Sequence, residues 1–322
     1  MMTASSIGAS NAQGYARYLD AKTVAPERGD YYLGREGAPA EAPGVWHASR
    51  EVLEALGIDP GQPVAVEDFI ALMEGRTPPG AVGGVPVGGL DGEPVEDDRA
   101  PDPEEPAVAV AAAGDEPAGA VGSGASTAGG VPVPVVAPGS EWLRPAGRDG
   151  TRAAGIDVTF SAPKSVSIVW GLSSGAQRRA IEEAHGRAVA AALRYLRETV
   201  PLTVRWDAEA RRSVPALAAD LLAAEFRHTT ARGVGGGPPD PQLHSHVVIT
   251  SVVNQEGQVR AVRSRPVFRA AREVGAYYRA ALAEELTKVG YRIEAGTGRH
   301  GRYFELEGVP DEAIVAFSKR TV

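Results

Sequence analysis

The N-terminal third carries short, weak patterns. Asn11 to Leu19 has the spacing of a short helix with Tyr15 and Tyr18 one turn apart. Ser49 to Leu56 predicts a helix capped by Ser49 and stopped at Gly57, and Val66 to Glu74 predicts another, ended by Thr77-Pro78-Pro79-Gly80. From residue 155 the pattern becomes regular. Gly155 to Phe160 alternates as a strand, and Ala176 to Glu198 is a long amphipathic helix. Thr203 to Ala208, Leu221 to Thr229, Leu243 to Asn254 and Val259 to Arg263 predict strands, the last two joined by a turn through Gln255-Glu256-Gly257. Val267 to Val289 is a second long helix ending at Gly290. Tyr291 to Glu294 and Arg302 to Leu306 predict a hairpin, and a final helix begins after Pro310. Strands interleaved with two long helices predict an α+β fold: one mostly antiparallel sheet, a palm, with the long helices packed on it.

Composition changes this picture in one region. Between Gly83 and Ser140 there are 12 Gly, 9 Pro and no aromatic residue. Such a segment cannot bury enough apolar surface to offset its ordering entropy, which predicts a disordered insertion. The chain is thereby divided into an N-terminal part at 1–82 that carries four tyrosines, the insertion at 83–146, and the palm at 147–322. The insertion also changes the meaning of the net charge of −8. Between Gly83 and Ser140 ten acidic residues, all from Asp91 to Glu116, face one base, Arg99, so that stretch carries −9 and leaves the rest close to neutral. A polyanionic partner for the rest of the chain is therefore not excluded. Cysteine is absent, which excludes a disulfide framework, an iron–sulfur cluster, a Cys-ligated zinc and a thiol nucleophile. Met1 to Tyr15 has neither a basic region nor an apolar core of a signal peptide, and the uncharged run from Pro117 to Ser140 holds six Gly and four Pro. The expectation is a cytoplasmic protein with no membrane insertion.

Candidate chemistry lies in histidines and tyrosines. His244-Ser245-His246 sits at the start of a predicted strand, and side chains two apart on a strand share a face. His228 closes another predicted strand, so antiparallel pairing can bring a third imidazole alongside. Three neutral imidazoles hold a divalent cation and leave positions open for a substrate oxygen. A ligating ring usually gives its other N–H to a carboxylate, and Asp157 on the 155–160 strand is the candidate. Alone, two histidines at a strand start are as readily surface residues. Tyr15, Tyr18, Tyr31 and Tyr32 supply context, because a tyrosine hydroxyl can attack phosphorus and form a phosphotyrosyl ester. Arg260, Arg263, Arg265, Arg269 and Arg272 form a dense cluster just past the histidine strand, and Lys164 follows the Asp157 strand; each is a candidate phosphate contact.

Three separated stretches carry a family resemblance. Phe226-Arg-His-Thr-Thr-Ala-Arg232 followed by Asp240-Pro-Gln-Leu-His-Ser-His-Val-Val-Ile249 resembles the histidine signature of conjugative relaxases of the TrwC/TraI (MobF) type. Asp157-Val-Thr-Phe-Ser-Ala-Pro-Lys-Ser-Val-Ser167 resembles their second motif, and Tyr18 followed by Asp30-Tyr31-Tyr32 resembles their N-terminal tyrosine motif. Gly44-Val-Trp46 and Phe317-Ser-Lys-Arg320 also fit.

The resemblance implies an HUH endonuclease that nicks one strand of plasmid DNA at an origin of transfer. A tyrosine attacks the scissile phosphate, keeps the 5′ end and releases a 3′-OH. By motif, His228, His244 and His246 bind the metal, with Mg2+ or Mn2+ expected and Zn2+ as the alternative. Asp157 orients one histidine and can help take the tyrosine proton. Tyr18 is the first nucleophile, with Tyr15 its competitor, and Tyr31 acts in a later strand transfer. The implied partners are single-stranded origin DNA and accessory relaxosome proteins. Several features depart from the family pattern. Ser245 replaces the bulky apolar residue of the superfamily name, a Gly-rich expansion at Gly233 to Pro239 separates His228 from the pair, and the insertion splits the tyrosines from the palm. No G-x-x-x-x-G-K-[ST] occurs before the last residue, Val322, so a relaxase without its helicase motor is expected. The competing functions are a metal-dependent hydrolase using water and a single-stranded DNA-binding module that has lost catalysis.

Overall fold

The computed structural model describes residues 1–24, 42–81, 154–231, 239–296 and 303–318. Its centre is one antiparallel sheet of β1 (Met2–Ile7), β3 (Gly155–Ser161), β7 (Pro241–Val253), β6 (Asp220–Thr230) and β2 (Val45–His47), in that order. A short β8 (Val259–Arg260) pairs with the far end of β7. Segments on both sides of residues 83–146 thus build a single sheet, with β1 and β2 at its two edges. The insertion itself lies outside the described residues.

The two faces of the sheet are covered differently. On the back, Ile156, Val158, Phe160, Val247 and Ile249 pack under the long helices α5 (Gly175–Thr199) and α6 (Ser264–Lys288) and the shorter α4 (Lys164–Leu172). On the front, Leu222, Ala224, Phe226 and Val248 pack under α1 (Ala12–Val24), α2 (Arg50–Ala55) and α3 (Val66–Glu74). The central strands β6 and β7 are buried on both faces over most of their length. That is why the run Val247 to Val253 is unbroken by polar positions except small hydroxyls. Gly155 opens β3 at φ +145, where a Cβ would stand 2.5 Å from the Ile249 carbonyl oxygen; only glycine lets β3 approach β7 there.

The long elements match their predicted positions within three residues. The differences have identifiable causes. β1 was not predicted, because Thr-Ala-Ser-Ser presents almost no apolar alternation and only Met2 and Ile7 of this edge strand are buried. β2 is three residues long, too short to show a period. α4 buries Ser165, Val166, Ser167, Ile168 and Trp170, so it lacks the amphipathic contrast on which a helix prediction rests. α3 ends at Gly75, φ +76, before the Pro78-Pro79 pair. β8 ends at Arg260 and α6 begins at Ser264, so Arg265, Arg269 and Arg272 are helical. A separate ribbon, β4 (Thr203–Asp207) with β5 (Arg212–Ala216), was read only in its first strand; Pro215 hides the second. The hairpin β9 (Ile293–Ala295) with β10 (Phe304–Leu306) and the final helix α7 (Asp311–Ala316) are present as expected. Among the described residues no helix is long and apolar enough to cross a membrane.

Candidate active site

Three adjacent strands build the site on the front of the sheet. From Pro241 to His246, β7 alternates buried and half-buried residues, so Leu243 and Ser245 face the back while Gln242, His244 and His246 face the front. In register, β6 places His228 opposite His244. On the other side, β3 places Thr159 opposite His246, with Asp157 on the same face two residues earlier. The three imidazole centroids stand 5.4 Å (His228–His244), 5.0 Å (His228–His246) and 5.3 Å (His244–His246) apart. One ring nitrogen from each lies within 4.8 Å of the others.

The ring hydrogen bonds decide which nitrogens face inward. His246 Nδ1 is 2.7 Å from Asp157 Oδ2 and 3.3 Å from the Thr159 hydroxyl. His244 Nδ1 is 2.8 Å from the Gln242 carbonyl oxygen. A carbonyl can only accept, and so can an ionised carboxylate; each Nδ1 therefore donates, and each Nε2 keeps its lone pair. Two donor nitrogens are thus fixed in their tautomer by neighbours, and the set of three imidazoles suits a divalent cation of the transition series. Neither Thr159 nor Gln242 was singled out from sequence; Thr159 lies in the second motif and Gln242 acts through its backbone, which no residue type reveals.

The tyrosine approaches from α1. Ala12, Ala16 and Leu19 bury one stripe of this helix against the front of the sheet, and Tyr15 lies beside that stripe. Its hydroxyl donates to Asp157 Oδ2, the oxygen that also accepts from His246. Tyr18, preferred from sequence, is one turn further along, 38% exposed, with its ring 6.2 Å from that of Tyr15. The structure therefore brings Tyr15 to Asp157 where Tyr18 was expected. Helix α1 is longer than its sequence pattern, so that pattern did not fix which tyrosine turns inward. Tyr31 and Tyr32 lie outside the described residues, as does the Gly-rich stretch 232–238.

The candidate phosphate contacts are divided between the two ends of β7. Lys164 Nζ donates to the Pro241 carbonyl at 3.1 Å and to Gln242 Oε1 at 2.9 Å, so it holds the start of β7. Burial lowers its pKa, opposed by Asp240 and Glu305. Arg260 lies opposite Val252, roughly 20 Å along β7 from His246 at 3.3 Å per residue. It donates to Gln258, and Arg263 caps α6 and reaches the Pro201 carbonyl. Arg265, Arg269 and Arg272 ride on α6, which packs on the back of the sheet. Proximity in sequence to the histidine strand therefore does not translate into proximity to the imidazoles, because the chain leaves by the far end of the sheet.

Behind the imidazoles lies a second polar group that sequence reading missed. His185 of α5 is fully buried; its Nδ1 is 2.7 Å from the Tyr278 hydroxyl and its Nε2 2.9 Å from Ser245 Oγ. Ser245 donates to Glu225 Oε1 at 2.5 Å, and His47 Nε2 is 2.6 Å from Glu225 Oε2. Burial is the main cause that drives the His185 pKa from 6.5 down to about 3, with Glu225 opposing and Arg227 and His244 assisting. His185 is neutral in the fold, whereas the unfolded chain gains a proton below pH 6.5. Stability therefore falls as pH drops from 6.5 towards 3, by up to about 1.4 kcal/mol per pH unit from this residue. His185→Gln keeps an acceptor and a donor but does not titrate. In EDTA, urea unfolding at pH 7.5 and 5.0 is expected to show the variant losing roughly 2 kcal/mol less than the unsubstituted chain.

With the site defined, the chain can be set beside known proteins. Residues 11–322 match the TrwC relaxase family. The multifunctional conjugation protein TraI of Escherichia coli K12 is 35% identical over 169 residues, 50% of this chain and 9% of that protein. A second Escherichia coli TraI is 35% identical over 176 residues, again 9% of its length. The chain thus spans about a tenth of these relatives. Among solved structures, the conjugative relaxase TrwC in complex with oriT DNA, metal-bound, superposes with a TM-score of 0.62 at 23% identity, covering 100% of this chain and 80% of that one. TrwC complexed with a 27-mer DNA comprising the recognition hairpin and the cleavage site gives 0.60 at 23% over the same shares. These superpositions speak for the fold: an antiparallel palm with helices on both faces. On the match across 11–322, the chain belongs to the TrwC relaxase family.

Proposed function

We propose that this chain nicks single-stranded origin-of-transfer DNA by tyrosine transesterification, with Tyr15 as the first nucleophile. The observation that carries the reading is the continuous path from the Tyr15 hydroxyl through Asp157 Oδ2 to His246 Nδ1 and the cluster of three imidazoles. Asp157 is 3% exposed and placed to accept the phenolic proton as the oxygen attacks. The new bond joins the Tyr15 oxygen to phosphorus. The bond to the 3′ oxygen breaks, and that oxygen leaves as the 3′-OH after gaining a proton.

His228, His244 and His246 would hold a divalent cation, which when bound supplies positive charge to the phosphate oxygens. Imidazole donors favour Mn2+ or Zn2+ over Mg2+. His246 aims Asp157 through their hydrogen bond, and Thr159, on the same strand as Asp157, contacts both. The position of Asp157 between phenol and imidazole favours a tyrosine nucleophile over water.

For the DNA outside the scissile phosphate, the ribbon of β4 and β5 is the better surface. Arg205, Trp206, Arg211 and Arg212 are all exposed on it, and a two-stranded ribbon fits the major groove of a duplex. Its base lies beside Arg263 and the β8 end of the sheet, so the cluster at Arg260 to Arg272 serves this end rather than the imidazoles. The TrwC complex with a recognition hairpin supports such a division. The test is incubation with single-stranded origin oligonucleotides and Mn2+, read on a denaturing gel. A covalent protein–DNA band with a free 3′-OH is expected. Cleavage without a covalent band favours a hydrolase, and binding without cleavage favours a DNA-binding module.

A further inference from the structure

We propose that Ser245 is a positioning residue for the metal cluster, acting with Glu225 and His185 from the back of the sheet. This rests on the reading of His228, His244 and His246 as metal ligands. The observations are geometric. The cluster is divided between two strands, and their relative register alone decides whether His228 meets the other two. The paired segment Ala223 to His228 is bracketed by two irregularities of β6, one between Leu222 and Ala223 and one between His228 and Thr230. A slip of one residue there would turn His228 to the opposite face.

The register is pinned from behind by Ser245. It lies between the two imidazoles of β7, and the strand period sends its side chain to the opposite face, where it is fully buried. Its hydroxyl donates to Glu225 Oε1 at 2.5 Å. Glu225 pairs with Val247, so this bond is a diagonal tie between β7 and β6. The same hydroxyl oxygen accepts from His185 Nε2 at 2.9 Å, and Tyr278 donates to His185 Nδ1 at 2.7 Å. His47 of the edge strand β2 approaches the other Glu225 oxygen at 2.6 Å. Every hydrogen therefore points towards one carboxylate: Tyr278 to His185, His185 to Ser245, Ser245 to Glu225, and His47 to Glu225. Such a one-directional path tolerates a single arrangement, and it joins α6, α5, β7, β6 and β2 at the level of the imidazoles. It also gives a reason for a hydroxyl residue where an apolar one would pack: here the back of the strand meets a carboxylate and an imidazole that need a partner.

The test uses the full chain and Mn2+, with binding read from the loss of the free-ion EPR signal. Ser245→Val and Ser245→Thr have the same shape, and only threonine keeps the hydroxyl. Ser245→Val is expected to bind Mn2+ about tenfold more weakly, the lower end for a residue supporting ligands, while Ser245→Thr stays within about twofold. A role in packing volume alone would affect both variants alike. Should Ser245→Val lack a cooperative thermal transition, Glu225→Gln carries the test, with the same tenfold loss expected. Unchanged affinity in whichever of these folds overturns the inference. Failure of the unsubstituted chain to bind Mn2+ would overturn the metal reading, and this inference with it; equal affinities with the metal bound overturn this inference alone.

Discussion

Tyr15→Phe is expected to form no covalent adduct with single-stranded origin DNA, a loss of at least about 10^3-fold in the nicking rate. Tyr18→Phe is expected to stay within several-fold of the unsubstituted chain. Phenylalanine removes the attacking oxygen and its bond to Asp157 while leaving the ring in place. The contrast between the two variants follows from α1. Residues 12, 16 and 19 point into the front core, so the residue adjacent to that stripe at 15 reaches Asp157, and the one a turn later is more exposed. Single-turnover cleavage measures the rates, and peptide mass spectrometry of the adduct locates the modified tyrosine. An adduct on Tyr18, with Tyr15→Phe still active, would return the assignment to the residue that the sequence motif favours. Tyr15 would then be the hydrogen-bond donor that holds Asp157.

The sheet centre was legible because burial leaves a mark in sequence there. β7 reads as alternating at its start and continuously apolar beyond, and its length is recovered almost to the residue. The two long helices show the same clarity, since each has one stripe packed on the back of the sheet. The edges were not legible. β1 pairs along its whole length with β3, from Met2 opposite Phe160 to Ile7 opposite Gly155. Yet backbone hydrogen bonds specify no side chain, and an edge strand needs few apolar residues. α4 failed for the opposite reason, being buried nearly all round.

The site divides in the same way. Three histidines on one face follow from strand period and antiparallel pairing, and so does a carboxylate on the next strand. What alternation cannot show is what lies behind the strand. Ser245 looks like a neutral spacer in His-Ser-His, and Glu225 looks like an exposed strand residue. Only the packing of α5 places His185 against both. The arginine cluster follows the histidine strand closely in sequence but not in space. The seven residues from His246 to Val253 carry the chain roughly 20 Å, to the opposite end of the sheet, before Arg260 appears.

Substituting the imidazoles separates binding of metal from binding of DNA. His246→Ala is expected to weaken Mn2+ binding by about 100-fold or more and to remove nicking, because it deletes a donor and releases Asp157 from its partner. His244→Ala should do the same to metal affinity while leaving the Tyr15–Asp157 contact in place. His228 is fully buried, whereas the other two are half-buried, so His228→Ala should also lower the apo protein's stability by roughly 1–3 kcal/mol, measurable in EDTA. DNA affinity in the absence of metal should change by less than about threefold in the His244→Ala and His246→Ala variants. The surfaces proposed to hold DNA, β4–β5 and the Arg260 end of the sheet, lie at the other end of β6 and β7 and act through phosphate charge. Filter binding at two salt concentrations checks this: the salt slope should be unchanged by His244→Ala and His246→Ala, and should fall when Arg211 and Arg212 are replaced. A flat slope in the unsubstituted chain, or loss of DNA binding together with the metal, would place the main DNA contact at the imidazoles.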